Sequence, residues 1–181
     1  MKDKLFPMRN EESIQGLIDL IEHVNMFHNT KDLLIVEIGS YAGDSTEIFS
    51  QNFKNVISVD PFIDDYDLND PACSYLDLTK VYDVFLEKLS RMTNVVHIRK
   101  TSDEAVVDLK DTKIDIVYID GLHTAEQVKK DIENYMPLIS KDGFICGHDY
   151  HENWQGVIDS VNELLGGPDK VFADSSWIKK L

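Results

Sequence analysis

Short apolar runs alternate with helix-length segments along most of the chain, and this alternation limits the fold more than any other feature. The runs occupy residues 33–38, 56–59, 95–98, 114–119 and 144–146. Strands separated by helices favour a doubly wound, mostly parallel sheet with helices on both faces. Residues 114–119 are apolar on both faces, so we expect this strand near the middle of the sheet.

The two ends of the chain complete this α/β organisation. Within residues 1–30, Asn10 is placed to cap a helix whose apolar residues recur at helical spacing. After "GGP", two short β-like runs surround residues 174–176 and predict an antiparallel hairpin at the sheet edge. We expect one domain over residues 1–181, because this length provides one well-packed core and is short for two.

The charge balance argues against a nucleic-acid substrate. The formal net charge is −15, and positive charge is concentrated only in the pairs Lys129/Lys130 and Lys179/Lys180. No apolar run is long enough to cross a bilayer, so we expect a soluble, cytoplasmic protein without a membrane partner. The two cysteines lie in different contexts and indicate no disulfide framework. A homo-oligomer is left open.

A glycine-containing turn follows the first strand run, in the segment "VEIGSYAGDST" at residues 36–46. Its glycines, Gly39 and Gly43, match neither the dinucleotide fingerprint nor the P-loop spacing. The next strand run, "VISVD", ends in Asp60, whose carboxylate could accept both hydroxyls of a ribose. The pattern therefore predicts a nucleotide-type cofactor site, although a purely structural role of the two glycines stays open.

The turn and Asp60 together resemble the class I S-adenosylmethionine-dependent methyltransferases, from about residue 33 to the C-terminus. The resemblance implies a Rossmann-like seven-stranded sheet with a C-terminal antiparallel hairpin, and S-adenosylmethionine as cofactor. It implies that Asp60 binds the ribose and that Ser102 and Asp103, in "KTSDEA", touch the adenine. The implied contacts in the turn are Glu37, Gly39, Ser40, Tyr41, Gly43 and Ser45.

Polar residues are concentrated at two further strand ends, "YIDGLHTAEQ" at 118–127 and "CGHDYHENW" at 146–154. Adjacent parallel strands lie about 4.8 Å apart, so Asp120 should converge with His148 and Asp149. Thr124 and the glutamine three residues later form a capping-box pattern, which predicts a helix start there and leaves His123 in the turn before it.

These two segments resemble a subgroup of small O-methyltransferases with "IDG.H" and "GHDY" motifs, some of whose relatives use a divalent metal. The resemblance implies that Asp120, His148 and Asp149 hold a metal, with Asp120 also near the cofactor. His123 is our candidate general base, because imidazole accepts a proton near neutral pH. Magnesium prefers oxygen ligands, so His148 favours manganese or another transition metal, and the need for a metal stays open. The expected acceptor is a hydroxyl of a small molecule or saccharide.

Other interpretations are compatible with the same residues. Asp120 and Asp149 could simply cap turns, and His151 is expected at the surface. Trp154 could form a substrate wall or pack on the sheet. A non-haem iron enzyme could use two histidines and a carboxylate from His123, His148 and Asp149, and a cofactor-binding module without catalysis is a further alternative.

One long connection, residues 61–78, follows the strand that ends in Asp60 and is rich in Asp, Pro and Tyr. Long loops at this end of an α/β sheet often cover a ligand. We therefore expect a substrate-covering loop, with a solvated acidic loop as the alternative.

Overall fold

The computed structural model describes residues 9–64 and 77–181. The α-helices within these ranges are α1 (Glu11–Asn25), α2 (Asp44–Asn52), α3 (Leu78–Leu89), α4 (Ser102–Leu109), α5 (Ala125–Tyr135) and α6 (Gln155–Leu165). The strands are β1 (Leu34–Ile38), β2 (Asn55–Val59), β3 (Val95–Ile98), β4 (Ile114–Ile119), β5 (Ile139–Gly147), β6 (Lys170–Val171) and β7 (Trp177–Lys180).

The seven strands form one sheet in the order β3-β2-β1-β4-β5-β7-β6. The first five are parallel, whereas β7 pairs antiparallel with both β5 and β6. The predicted doubly wound sheet and its edge hairpin are therefore confirmed, and β4 is the central strand as expected. Its side chains are almost all buried because helices cover both faces.

Two apolar clusters fill the spaces on either side of the sheet. One includes Val36, Val117 and Ile145 from the sheet, packed with α4, α5 and α6. The other includes Ile35 and Ile116, packed with α1 and α2. Successive residues of β1 and β4 thus contribute to opposite clusters, as the period of two along a strand requires.

The N-terminal helix begins where the sequence predicts. The Asn10 side chain accepts a hydrogen bond from the Ser13 backbone N–H at 2.9 Å and so caps α1. The buried face of α1 contains Leu17 and Leu20, and Gly16 lies so close to the β6–β7 turn that an added Cβ would be 2.1 Å from Asp174 Cγ. This contact sets α1 against the end of the sheet where the polar residues are gathered.

Two local predictions need correction. The fifth strand begins at Ile139 rather than residue 144, because Ile139 pairs with Ile114 before the register shifts and Phe144 pairs with Ile116; the polar sequence "SKDG" conceals this early start. Asp142 takes a positive φ of 67° there. The capping box at Thr124 is only half formed: Thr124 accepts from the Gln127 N–H, but the Gln127 side chain points to Ser102 and Asp131.

None of the helices in the described ranges is long and apolar enough to span a bilayer. Most of the 61–78 connection, residues 65–76, lies outside the described residues.

Candidate functional site

The turn between β1 and α2 is pressed against the end of β4. Gly39 has a φ of +86°, and an added Cβ would lie 2.0 Å from the backbone oxygen of Asp120. Gly43 caps α2 with a φ of +80°, and its Cβ position faces the Phe85 ring at 3.0 Å. Both glycines therefore have a conformational reason to be there, and Gly39 also permits the close approach of two strand ends.

Asp60, at the end of β2, holds this turn in place. Its Oδ2 accepts backbone N–H hydrogen bonds from Ser40 and Tyr41 at 2.9 Å each, and Oδ1 accepts one from Phe62 at 2.9 Å. Burial raises the pKa of Asp60, whereas these three hydrogen bonds lower it in part. A carboxylate has about four acceptor sites, so roughly one is left for a ligand hydroxyl, rather than the two that the sequence suggested.

Glu37 lies beneath the turn rather than in the cavity. Its side chain is fully buried, with Oε2 accepting from Thr46 Oγ1, and no described residue hydrogen-bonds to Oε1. Burial raises the pKa of Glu37 to about 7, although hydrogen bonds from Ser45 and Thr46 lower it in part. Glu37 thus supports the helix start behind the glycine turn and does not line the space where a ligand would lie.

A single cavity runs along the carboxyl ends of β1, β2 and β4 and reaches the loop that follows β5. Its wall includes the predicted cofactor residues Gly39, Ser40, Tyr41, Ser45, Asp60, Ser102 and Asp120. The predicted chemical residues His123, His148 and Asp149 line the same cavity, whereas Gly43 and the exposed Asp103 do not. The described ends of the 61–78 connection contribute Pro61, Phe62, Ile63 and Leu78.

The residues after β4 and β5 meet as the sequence predicts. His123 Nε2 lies 2.9 Å from Asp149 Oδ2 and 3.8 Å from Asp120 Oδ1. His148 Nδ1 lies 3.2 Å from Asp149 Oδ1 and 3.8 Å from Asp120 Oδ1. Asp149 has a positive φ of 61°, a conformation that Asp tolerates better than most residues. One carboxylate therefore bridges two imidazoles.

The charged forms of His148 and Asp149 stabilise each other in this cluster. Burial alone would lower the pKa of His148, but Asp120 and Asp149 more than offset it and raise that pKa. Burial alone would raise the pKa of Asp149, but hydrogen bonds from His123 and His148 hold it far below its usual range. Asp149 is therefore ionised at neutral pH, and His148 binds a proton more readily than a free imidazole does.

Two charged residues near the cluster escaped the sequence reasoning. Arg9 donates from Nη2 to Asp120 Oδ2 at 2.6 Å and to the Tyr118 hydroxyl at 3.1 Å. Asp174, in the β6–β7 turn, has a fully buried side chain whose Oδ2 is 3.8 Å from His148 Nε2. Neither residue belongs to a motif. The only sequence signal near either of them was the hairpin predicted around residues 174–176, which contains Asp174.

A second polar group lies at the far end of the cavity, near the start of α4. Gln127 Nε2 donates to Ser102 Oγ at 3.1 Å and to Asp131 Oδ1 at 3.0 Å. Asp131 is 1% exposed, and burial raises its pKa to about 6. The sequence pointed to Asp103 in this region, but Gln127 and Asp131 take its place in the cavity wall.

The residues that could hold a metal ion differ from the expected set. Ligand atoms of Asp120, His123 and Asp149 lie within 4.8 Å of one another. Among the described residues, His123 stands in this set where the sequence placed His148, although His148 Nδ1 also lies 3.2 Å from Asp149 Oδ1. Both histidines of the non-haem iron alternative thus lie beside Asp149, but the set itself contains only His123.

The two residues after the cluster have separate positions. His151 is exposed and its Nδ1 accepts from the Asn153 N–H at 3.3 Å, which agrees with the predicted surface position. Trp154 lines the cavity, and its ring centroid lies 4.4 Å from that of His123. The tryptophan therefore packs on the candidate base as well as forming part of the wall.

Comparisons with known proteins bear on the family and the fold of the chain. The profile of a family described as a methyltransferase domain matches residues 36–150. An uncharacterized protein of Acanthamoeba polyphaga mimivirus is 30% identical over 154 residues, which are 81% of this chain and 65% of the viral protein. An uncharacterized protein of Sinorhizobium fredii is 38% identical over 52 residues, 29% of this chain and 6% of its own length. The chain thus spans less than two thirds of either relative.

Solved structures resemble the whole sheet. The calicheamicin methyltransferase CalS11 matches with a TM-score of 0.68 and 14% identity, over 94% of this chain and 80% of its own. A Staphylococcus aureus protein proposed to be a caffeoyl-CoA O-methyltransferase matches with a TM-score of 0.67 and 16% identity, over 96% of this chain and 84% of its own. The chain therefore belongs to the methyltransferase-domain family and has the class I fold of S-adenosylmethionine-dependent methyltransferases.

Proposed function

We propose that the protein transfers the methyl group of S-adenosylmethionine to a hydroxyl oxygen of a small molecule or sugar. The observation that carries this proposal is the single cavity whose wall contains both the Gly39 turn with Asp60 and the cluster of His123 and Asp149. A cofactor lying on the turn would direct its sulfonium methyl toward that cluster. In support, CalS11 is described as a TDP-rhamnose 3′-O-methyltransferase.

The cofactor would lie along the turn in one direction. Asp60 would accept a hydrogen bond from one ribose hydroxyl through its remaining acceptor site, while Ser40 and Tyr41 present the backbone beside it. The adenine would lie toward Ser102 and Asp131, and the methionyl part toward Asp120. This direction leaves the methyl group nearest the two histidines.

Methyl transfer is a displacement at carbon. The acceptor oxygen forms a bond to the methyl carbon, the carbon–sulfur bond breaks, and its electron pair stays on sulfur as S-adenosylhomocysteine forms. His123 would take the hydroxyl proton, and the resulting imidazolium would keep its Nε2–H on Asp149 Oδ2, now 2.9 Å away. Asp149 stabilises that charge because it remains ionised. The main contribution of the protein is alignment of the two reactants.

A divalent metal fits this cluster by donor type. Two carboxylates and an imidazole, from Asp120, Asp149 and His123, are ligands that manganese and similar ions accept. Arg9 already pairs with Asp120 Oδ2, so Asp120 has only Oδ1 to offer. When bound, such an ion would lower the pKa of the acceptor hydroxyl. We propose His123 as the base. A His123 nitrogen that ligates an ion cannot also take the hydroxyl proton, so the chelator experiment below distinguishes metal assistance from base catalysis by His123.

Binding is tested first, with the cofactor alone. Calorimetry with S-adenosylmethionine and S-adenosylhomocysteine should show binding, whereas NAD and ATP should show much weaker binding or none. Equal binding of all four ligands, or of none, would contradict the proposed cofactor.

Catalysis is tested by release of S-adenosylhomocysteine with a panel containing a nucleotide-activated deoxysugar, a free sugar, a catechol and a simple alcohol. With an acceptor from this panel, His123→Ala should lower the rate by about 10²- to 10⁴-fold. The exposed His151→Ala is the matched control and should retain full activity. Wild type, His123→Ala and Asp149→Ala are each assayed with excess chelator and with added Mn²⁺. Loss of wild-type turnover in chelator assigns a metal, and full activity of both variants in every condition would overturn the assignment of the cluster.

A further inference from the structure

Arg9 carries a buried positive charge into the cavity and is only partly satisfied there. Its side chain is 8% exposed, and Nη2 donates to Asp120 Oδ2 at 2.6 Å and to the Tyr118 hydroxyl at 3.1 Å. Nη1 is buried, and no described residue forms a hydrogen bond with it; Asp174 Oδ2 is 3.9 Å away. Leaving a buried charged donor without an acceptor is costly, which points to an acceptor supplied by a ligand.

The position of Arg9 follows from the packing of α1. Arg9 directly precedes the cap residue Asn10, so its backbone is held at the start of the helix. Gly16 fixes α1 against Asp174, because any larger residue there would collide with that carboxylate. Burial alone would lower the pKa of Arg9, but the neighbouring Tyr118 and Asp120 more than offset it, so the guanidinium stays protonated.

Arg9 and Asp120 together form a pair of opposite charges in one wall. Among the described residues that line the cavity, Arg9 is the only arginine or lysine. Lys88 pairs with the lining residue Asp44 but does not itself line the cavity. Asp120 lines the cavity, and its Oδ1, which Arg9 does not engage, lies 3.8 Å from His123 Nε2 and from His148 Nδ1. A cation beside an anion is complementary to a zwitterion, which carries one group of each sign.

We propose that Arg9 binds the α-carboxylate of the cofactor's methionyl part through Nη1, while Asp120 accepts its ammonium group. This inference rests on the proposed function and adds the residue that distinguishes a complete amino-acid tail from a truncated one. Ser13, on the helix that follows Arg9, lines the same cavity. Charge-assisted hydrogen bonds of this kind are stronger than neutral ones.

The test compares two ligands that differ only in the carboxylate. S-adenosylhomocysteine carries it, and its decarboxylated analogue, S-adenosyl-3-thiopropylamine, retains the ammonium group. By calorimetry, the wild type should bind S-adenosylhomocysteine about 10- to 100-fold more tightly, as expected for hydrogen bonds between charged groups. In Arg9→Met, which keeps the apolar bulk of the side chain, this ratio should fall toward one.

These measurements distinguish failure of the Arg9 proposal from failure of the proposed function. Arg91→Met is the matched control, because Arg91 is 68% exposed and pairs only with Glu87 on α3, and its ligand ratio should equal that of the wild type. A wild-type ratio near one, or an unchanged ratio in Arg9→Met, would overturn the role of Arg9 while leaving cofactor binding intact. Failure of the wild type to bind S-adenosylhomocysteine would overturn both. A wild-type ratio near one overturns the role of Arg9 even where Arg9→Met fails to fold.

Discussion

Replacing Glu37 with glutamine should increase the stability of the variant relative to the wild type as pH rises from acid to alkaline values. Glu37 is fully buried, and burial raises its pKa from 4.5 to about 7. Between those values the folded state binds more protons than the unfolded state, so the free energy of unfolding falls as pH rises. A shift of about 2.5 pKa units corresponds to about 3 kcal/mol, lost by the wild type by about pH 8.

The assay is chemical denaturation of wild type and Glu37→Gln at several pH values from 4 to 9. Any change in the free energy of unfolding that the amide causes without ionisation is the same at every pH. The pH dependence of the difference in unfolding free energy between the two proteins therefore reports the ionisation of Glu37. That difference should grow by about 3 kcal/mol in favour of the variant as pH rises from 4 to 8. The exposed Glu133→Gln serves as control for the amide substitution. A difference that stays constant across this range would refute the reasoning, because it would mean that Glu37 is not held in a desolvated position.

Other predictions concern the turn and the wall of the cavity. Gly39→Ala should destabilise the protein by about 1 to 3 kcal/mol more than Gly166→Ala in denaturation experiments, because both residues have positive φ but only Gly39 meets backbone at 2.0 Å. Equal losses would mean that the close approach is not rigid. In Asp60→Asn, the amide NH₂ group would face one of the three backbone N–H donors whose hydrogen bonds the carboxylate accepts. Calorimetry should therefore show about 10-fold weaker binding of S-adenosylhomocysteine. Unchanged affinity would contradict the role of Asp60. Trp154→Ala should slow turnover by about 3- to 10-fold through loss of ring packing on His123, whereas Trp154→Phe should retain most of the rate. Equal rates for both variants would argue against that contact.

Much of the fold could be predicted because its signals are local. The strands at 95–98 and 114–119 have the predicted bounds, and the helix cap at Asn10 forms as expected. Short-range periodicity and capping chemistry depend on residues within a few positions of one another, so a single sequence contains them. Where the local sequence was ambiguous, as in the polar start of β5, pairing with a neighbouring strand decided the outcome.

The meeting of His123 with Asp149 was also predictable, because neighbouring parallel strands bring their carboxyl ends together. Tertiary packing alone decided which other polar groups join them. Arg9 is 111 residues away from Asp120 in sequence, and Gln127 lies 25 residues from Ser102. No periodic pattern marks a charged residue that becomes buried by contact with a distant element. The sequence by itself determined the sheet, the turn and the candidate base, whereas the tertiary structure decided the charge balance of the cavity, because burial and long-range pairing depend on how the elements pack.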